Sequence, residues 1–158
     1  QHAEECVKKN IPFLFDPGQG LPMFNKNELM SFIKQAHYIA VNDYELQLIL
    51  DKTNITLSKL SSFVDALIVT KGSHGSLIYC EGKEIIIDAI PVKKPIDPTG
   101  CGDAYRAGLI YGIIKNYDWV KTGKLASVMG AIKIKFQGGQ NHTATISEIE
   151  NLFGDSLK

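Results

Sequence analysis

A pair of glycines followed at once by an acidic residue is the part of this sequence best suited to chemistry. The segment runs Asp97-Pro98-Thr99-Gly100-Cys101-Gly102-Asp103 and leads into an apolar run with helical spacing. The first turn of a helix has unpaired N–H groups and the positive end of the helix dipole, so it suits a phosphate. Glycines let a phosphate approach the backbone, and Asp103 could take a proton from an attacking hydroxyl. The segment predicts phosphoryl transfer to an alcohol.

The same segment also has a purely structural interpretation. It could be a strand-to-helix turn whose acidic residue stabilises the helix by about 0.3–1 kcal/mol. Two other nucleotide-binding motifs are excluded, because no lysine follows the glycines as in a Walker loop and the spacing differs from the dinucleotide fingerprint. Cys101 lies where a helix N-terminus can lower a thiol pKa, although a small residue that simply fits is the plainer interpretation.

A second polar group is Asn42-Asp43-Tyr44-Glu45, at a predicted junction between a strand and a helix. Asn42 and Glu45 are three residues apart and so lie on one helix face. An amide and a carboxylate there could hold magnesium through water, since magnesium usually keeps several of its waters. Taken alone, the pair is better explained as a capping box, with Asn42 as N-cap and Glu45 at the third helical position.

Three further segments could contact a nucleotide. Thr70-Lys71-Gly72-Ser73-His74-Gly75 follows a strand and offers free N–H groups, but a plain turn explains it equally well. The segment 125–131, which contains Ser127, is small and apolar at helical spacing; such a stretch is more often core than a wall for an adenine ring. Gln137-Gly138-Gly139-Gln140 could simply end a helix.

Composition narrows the class of protein. The 158 residues include seventeen basic and seventeen acidic side chains, and this balance argues against a general nucleic-acid surface. No apolar run reaches the roughly 18 residues of a membrane span, so no membrane partner is expected. Three widely spaced cysteines suggest neither a disulfide framework nor a zinc site, and the cytoplasm is the expected compartment. The chain opens with Gln1 inside a helical pattern, so we expect a fragment or a processed piece.

Strand and helix patterns alternate along the first half of the chain. Predicted strands cover 11–15, 38–41, 66–70, 76–80 and 84–90, and predicted helices cover 3–10, 27–36, 43–50, 57–63, 102–115, 119–135 and 147–153. Such an order predicts an α/β domain with a largely parallel sheet. Ligands of such sheets bind beyond the carboxyl ends of the strands, where the polar motifs occur.

These motifs together resemble the PfkB, or ribokinase-like, carbohydrate and nucleoside kinases. Asp97 to Asp103 resembles the second signature of that family, Asn42-x-x-Glu45 its magnesium and phosphate motif, and Thr70-x-Gly72-x-x-Gly75 its nucleotide-contacting turn. The three occur in the family's order and cover about the last half of such a kinase. Finer features, among them Gly130-Ala131-Ile132-Lys133, are similar to the bacterial adenosine-kinase-like branch. Pro98 and Cys101 depart from the family, where many members carry Thr and Ala.

The resemblance implies a role for each motif. Asp103 would be the base, and the N–H groups of Gly100, Cys101 and Gly102 would form an anion hole. Asn42 and Glu45 would position magnesium and the ATP phosphates. The residues implied to contact the nucleotide are Thr70, Gly72, Gly75 and Ser127. Asp97 occupies the position of the family's monovalent-cation site, which leaves potassium binding open.

The implied fold is the carboxyl-terminal portion of a ribokinase-like three-layer α-β-α domain, spanning residues 1–158, without the amino-terminal substrate and lid part. The implied activity is ATP-dependent phosphorylation of a hydroxymethyl group on a nucleoside or sugar, adenosine first. The alternatives are a kinase for another sugar, ribokinase- or fructokinase-like, and a fragment that binds nucleotide without catalysis. An exposed strand edge also predicts a homodimer or aggregation.

Overall fold

The computed structural model describes residues 2–154. They form two compact units, each with its own packed interior. The first comprises residues up to 72 together with 77–85, and the second comprises 73–76 and the residues from 86 onward. Every helix in the described part of the chain is too short or too polar to span a bilayer.

A five-stranded sheet organises the first half of the chain. Its strands lie in the order β1-β2-β3-β4-β5. Their bounds are β1 Leu14–Phe15, β2 Tyr38–Asn42, β3 Ala66–Thr70, β4 Ser76–Cys80 and β5 Lys83–Ile87. The first three strands are parallel, and β2 and β3 pair in register from Tyr38 opposite Ala66 to Asn42 opposite Thr70. The two strand ends that carry predicted site residues are therefore neighbours.

Four helices belong to the first unit. They are α1 His2–Lys8, α2 Lys26–Gln35, α3 Asp43–Thr53 and α4 Leu57–Ser61. Alternate residues of β2 and β3 join helix side chains in one buried cluster, because successive strand side chains point to opposite faces. Members of this cluster include Ile33, Ile39, Val41, Ile49, Leu67 and Val69. This packing holds the carboxyl ends of β2 and β3 in place.

The second unit is mainly helical. Its helices are α5 Cys101–Ile114, α6 Trp119–Lys133 and α7 Ile146–Phe153. The backbones of α5 and α6 approach closely at Gly108, where an added Cβ would lie 2.6 Å from the Ala126 Cα. Apolar side chains of α6 and α7, among them Val128, Ile132 and Phe153, form a second buried cluster. These contacts set the position of the amino end of α5 relative to the carboxyl end of α6.

The α/β class and the parallel pairing are as predicted, but several element bounds differ. Strand β5 ends at Ile87 rather than at 90, and α6 ends at Lys133 rather than at 135. The predicted strand over 11–15 is reduced to Leu14–Phe15. This strand pairs with β2 on one side, and Pro12 has no N–H to donate. Few backbone hydrogen bonds are therefore available to extend the strand toward residue 11. A 3₁₀ helix over Gly18–Met23 was not predicted, because its Gly and Pro residues indicate a turn rather than a helix.

Candidate active site

The predicted anion hole lies at the amino end of α5, in the second unit. Gly100 is the N-cap residue with φ 79°, and an added Cβ would lie 2.6 Å from the Gly139 carbonyl oxygen. The Cys101 N–H donates to the Pro98 carbonyl at 3.0 Å and closes a turn, so this N–H is already paired, contrary to the expectation that it forms part of the anion hole. Gly102 and Asp103 lie in the first turn, where N–H groups have no partner within the helix. The loop therefore presents N–H groups at the positive end of a 14-residue helix.

Asp103 is accessible to a reactant. Its side chain is 82% exposed, and its carboxylate accepts a hydrogen bond from Arg106 Nη2 at 3.2 Å. Arg106 is one turn further along α5 and is 28% exposed. The carboxylate thus lies at the surface, paired with Arg106 and adjacent in the chain to the glycine loop. This geometry suits a general base.

Asp97 ties the glycine loop to the turn after α6. One carboxylate oxygen accepts a hydrogen bond from the Thr99 N–H at 2.9 Å. The other accepts from the Gly138 N–H at 2.7 Å and from Gln137 Nε2 at 3.1 Å. The Thr99 backbone and side chain, together with the Gly138 N–H, lower the pKa of Asp97 to about 2. Asp97 is therefore a structural anion that holds two segments of the site together.

Lys133 is a residue of this network to which the sequence argument assigned no role. It is the last residue of α6 and is fully buried. Its ammonium donates to the Asp97 carbonyl at 2.9 Å and to the Phe136 carbonyl at 3.0 Å. A lysine that ends a buried, small-residue helix is the signal that could have found it, because lysine is almost never fully buried without partners.

Cys101 is half-buried beside these charges. Burial raises the pKa of its thiol, against the opposing effect of the Lys133 ammonium. Its sulfur lies 3.9 Å from the Asp97 carbonyl oxygen. A raised pKa disfavours the reactive thiolate, which favours the interpretation of Cys101 as a small packing residue.

In the first unit, the Asn42 and Glu45 pair forms the capping box that the spacing predicted. The Glu45 N–H donates to Asn42 Oδ1 at 2.7 Å, and the Asn42 N–H donates to Glu45 Oε2 at 2.9 Å. A carboxylate has about four lone-pair positions, so the cap leaves acceptor capacity on Glu45 for a magnesium-bound water. Among residues 2–154, no three His, Cys, Asp or Glu side chains cluster to hold a metal directly. The pair thus fits magnesium only through water.

The structure brings Thr70 next to this pair. Thr70 is the register partner of Asn42 across β2 and β3, and its hydroxyl lies 3.4 Å from the Val41 carbonyl oxygen. Gly72 follows in a 3₁₀ turn, and an added Cβ there would meet open space. Two motifs nearly thirty residues apart in the chain therefore share one rim of the sheet, as predicted.

Two other predicted nucleotide contacts have a structural explanation. Gly75 packs against the backbone of Ile87, and a Cβ there would overlap it. Ser127 is 9% exposed within α6. One turn after it, Ala131 lines a cleft of about 410 Å³ with Ile90, Pro91 and Val92. Three lysines also line this cleft, and Ser127 is not among its lining residues.

Comparison with known proteins places these observations in context. A family described as pfkB family carbohydrate kinase matches residues 1–146. A nucleoside kinase of Methanocaldococcus jannaschii is 37% identical over 92% of this chain and 49% of its own length. The ribokinase of Bacillus subtilis is 26% identical, over 93% of this chain and 48% of its own length.

The fold is also that of solved nucleoside kinases. The structure of the Burkholderia thailandensis nucleoside kinase in complex with inosine has a TM-score of 0.95 and 49% identity. The match includes 97% of this chain and 51% of the B. thailandensis chain. The M. jannaschii enzyme, described as an archaeal member of the ribokinase family, has a TM-score of 0.90 and 36% identity. The fold is therefore ribokinase-like, and the chain spans about half the length of the curated relatives it matches.

Proposed function

This chain belongs to the pfkB family of carbohydrate kinases, and from that membership we propose that residues 1–158 are the ATP-binding and catalytic part of a nucleoside kinase. The observation that carries the proposal is the exposed Asp103 carboxylate on the first turn of α5, beside the glycine loop. Phosphoryl transfer depends mostly on positioning and charge stabilisation, which a base, an anion hole and a magnesium site can supply.

The proposed reaction assigns a role to each motif. The oxygen of an acceptor hydroxyl forms a bond to the γ-phosphorus of ATP, the bond from that phosphorus to the bridging oxygen breaks, and ADP leaves. The hydroxyl proton passes to Asp103. The N–H groups of Gly100 and Gly102 stabilise the negative charge on the transferred group, whereas the Cys101 N–H already donates to the Pro98 carbonyl. Magnesium, when bound, neutralises phosphate charge, and Asn42 and Glu45 would hold it through water.

A nucleoside is favoured over a simple sugar as the acceptor. The relatives at 37% and 49% identity are nucleoside kinases, whereas the B. subtilis ribokinase is 26% identical. Adenosine is the first acceptor to test, and inosine follows because it is bound in the B. thailandensis structure. The second candidate is a fragment that binds nucleotide without turnover, favoured by the half-length match to the relatives.

The test is an ADP-release assay on the native polypeptide that carries this sequence, with adenosine, inosine, ribose and fructose as acceptors. The proposal expects turnover with a nucleoside and little with the sugars. Asp103→Asn should lower kcat by about 10²–10⁴-fold while ATP affinity by calorimetry stays unchanged. Asp51→Asn, an exposed carboxylate of α3, is the matched control and should leave both quantities unaltered. Near-normal turnover by Asp103→Asn would remove Asp103 from the role of base.

Three finer expectations belong to the same proposal. The protein is expected in the cytoplasm, with ATP and magnesium as its cofactors. Strand β1 lies at one end of the strand order and pairs with β2. An open strand edge of this kind favours a homodimer. Light scattering tests that expectation, and a monomer at assay concentrations would contradict it.

A further inference from the structure

A cation of the protein itself lies inside the loop network of the second unit. The Lys133 side chain is fully buried, and its ammonium donates to the carbonyl oxygens of Asp97 and Phe136. A buried charge is tolerated when it is paired and hydrogen-bonded. Here two carbonyl dipoles point at the ammonium, and the carboxylate of Asp97 belongs to the same residue as one of them. The Lys133 ammonium thus occupies the place between these two carbonyl oxygens that a small monovalent cation could otherwise take.

A potassium ion does not fit this site as well. Potassium is held in proteins by oxygens that replace its hydration shell. Both carboxylate oxygens of Asp97 already accept N–H donors, from Thr99 on one oxygen and from Gly138 and Gln137 on the other. Its carbonyl oxygen accepts from Lys133. An added cation here would have to share oxygens that already accept N–H donors, and it would repel the ammonium at short range.

The ammonium acts on the anion hole through two connected segments. It joins the chain at Asp97 to the turn at Phe136, and the Asp97 carboxylate joins the same two stretches through Thr99 and Gly138. Gly100 then packs against Gly139 with no room for a Cβ. The three contacts fix the backbone of the glycine loop, which is the proposed anion hole.

We propose that Lys133 is a positioning residue that replaces a bound monovalent cation, so that the glycine loop keeps its geometry without potassium. The proposal rests on the proposed function for its catalytic consequence, since the loop is the anion hole of that reaction. Its structural consequence is independent of any activity. The order of the loop, and with it the thermal stability of the second unit, should not respond to potassium.

The first experiment uses the unmodified protein. Its thermal midpoint is measured by circular dichroism in potassium, sodium and tetramethylammonium chloride at equal ionic strength. The proposal expects the same midpoint in all three salts, and a rise specific to potassium would overturn it. If turnover is found, kcat should likewise agree within about twofold between the potassium and tetramethylammonium solutions. A potassium requirement for turnover would overturn the proposal even if the kinase assignment holds.

The second experiment removes the internal cation. Lys133→Ala leaves two carbonyl oxygens facing a cavity large enough for a small cation, and ammonium or potassium chloride should raise its midpoint above that in tetramethylammonium chloride. Lys124→Ala, an exposed lysine of the same helix, is the matched control and should show no salt-specific rise. If neither ammonium nor potassium chloride raises the thermal midpoint of Lys133→Ala, the proposal that Lys133 replaces a bound cation is overturned. If this variant does not fold, the comparison of salts on the unmodified protein decides the question.

Because the midpoints need no substrate, a failed kinase assay leaves this test intact. Salt-independent midpoints without turnover would count against the proposed function and support Lys133 as the internal cation. An enzyme that turns over only with potassium would support the proposed function and would overturn the role of Lys133 as the internal cation. The two proposals therefore fail separately.

Discussion

Gly100 and Gly139 make a backbone contact that leaves no space for a side chain on Gly100: a Cβ there would lie 2.6 Å from the Gly139 carbonyl oxygen. Gly100 also has φ 79°, a conformation that residues with a Cβ adopt at a cost. The glycine is therefore required twice, for its conformation and for its packing. The contact joins the predicted anion hole to the turn that follows α6.

Gly100→Ala tests this double requirement. We expect a loss of about 1–2 kcal/mol of unfolding free energy from the left-handed conformation. Overpacking against Gly139 should add about 1–3 kcal/mol. The control is Gly154→Ala, because Gly154 has φ 78° and its nearest atom to an added Cβ is the flexible Lys124 Nζ at 3.9 Å. Denaturant unfolding followed by Trp119 fluorescence measures both. Equal losses in the two variants would show that the close contact contributes nothing.

A pair of capping boxes separates helix stability from nucleotide binding. Asn25 and Glu28 cap α2 in the same way that Asn42 and Glu45 cap α3. Asn25→Ala and Asn42→Ala should therefore each lower the unfolding free energy by about 0.5–2 kcal/mol. Asn42→Ala alone should also weaken the binding of ATP with magnesium, measured by calorimetry. If the two variants bind ATP equally well, the Asn42 side chain has no role beyond capping.

The Asp97 carboxylate predicts a defined acid sensitivity. Its pKa is about 2 in the folded protein and 3.8 for an unperturbed aspartate. A folded-state pKa below the unfolded one stabilises the fold above the unfolded value, and the benefit is lost as pH falls through the folded value. The unfolding free energy should thus fall between about pH 4 and pH 2. Asp97→Asn should flatten this part of the profile, measured by urea unfolding at a series of pH values. An unchanged slope would mean that other carboxyl groups account for it.

Cys101 should behave as an inert thiol. Because burial raises its pKa, less of the reactive thiolate is present near neutral pH. Iodoacetamide should therefore modify Cys101 more slowly than it modifies glutathione at pH 7.5, as measured by mass spectrometry of the digested protein. ATP should give no large protection, and Cys101→Ala should keep its affinity for ATP. Rapid modification that ATP blocks would restore the interpretation of Cys101 as a reactive residue.

Local sequence patterns were sufficient for most of the elements and for one part of the candidate site. The helix pattern after Asn42, with Glu45 three residues later, predicted a capping box that the structure confirms. The apolar runs at 38–41 and 66–70 predicted two strands, and the register of their pairing in the structure puts Asn42 opposite Thr70. The short β1 and the 3₁₀ helix over Gly18–Met23 were missed, because each depends on its surroundings more than on its own residues.

Local sequence patterns could not predict the hydrogen bonds around Asp97. Gln137 and Gly138 are some forty residues from Asp97, and their donation to its carboxylate depends on how α6 returns the chain. The resemblance to a family suggested a cation site there, whereas the structure places the Lys133 ammonium against the Asp97 carbonyl. Nothing in the spacing of Lys133 indicates which way its side chain points. Roles in catalysis for Asp103, Asn42 and Glu45 stay predictions until the variants are measured.

Residue order alone was enough to predict the α/β class, the helix cap at Asn42 and a glycine loop ahead of an acidic residue, because these patterns depend on neighbours within one or two turns of chain. Folding in three dimensions decided which groups face one another: Gly100 against Gly139, Asp97 against Gly138, and a buried Lys133 against two carbonyl oxygens. The physical reason is that a buried charge needs hydrogen-bond partners, and a glycine is required where another backbone packs closely against it. In both cases the neighbouring atoms are distant in the chain, and only tertiary packing brings them together.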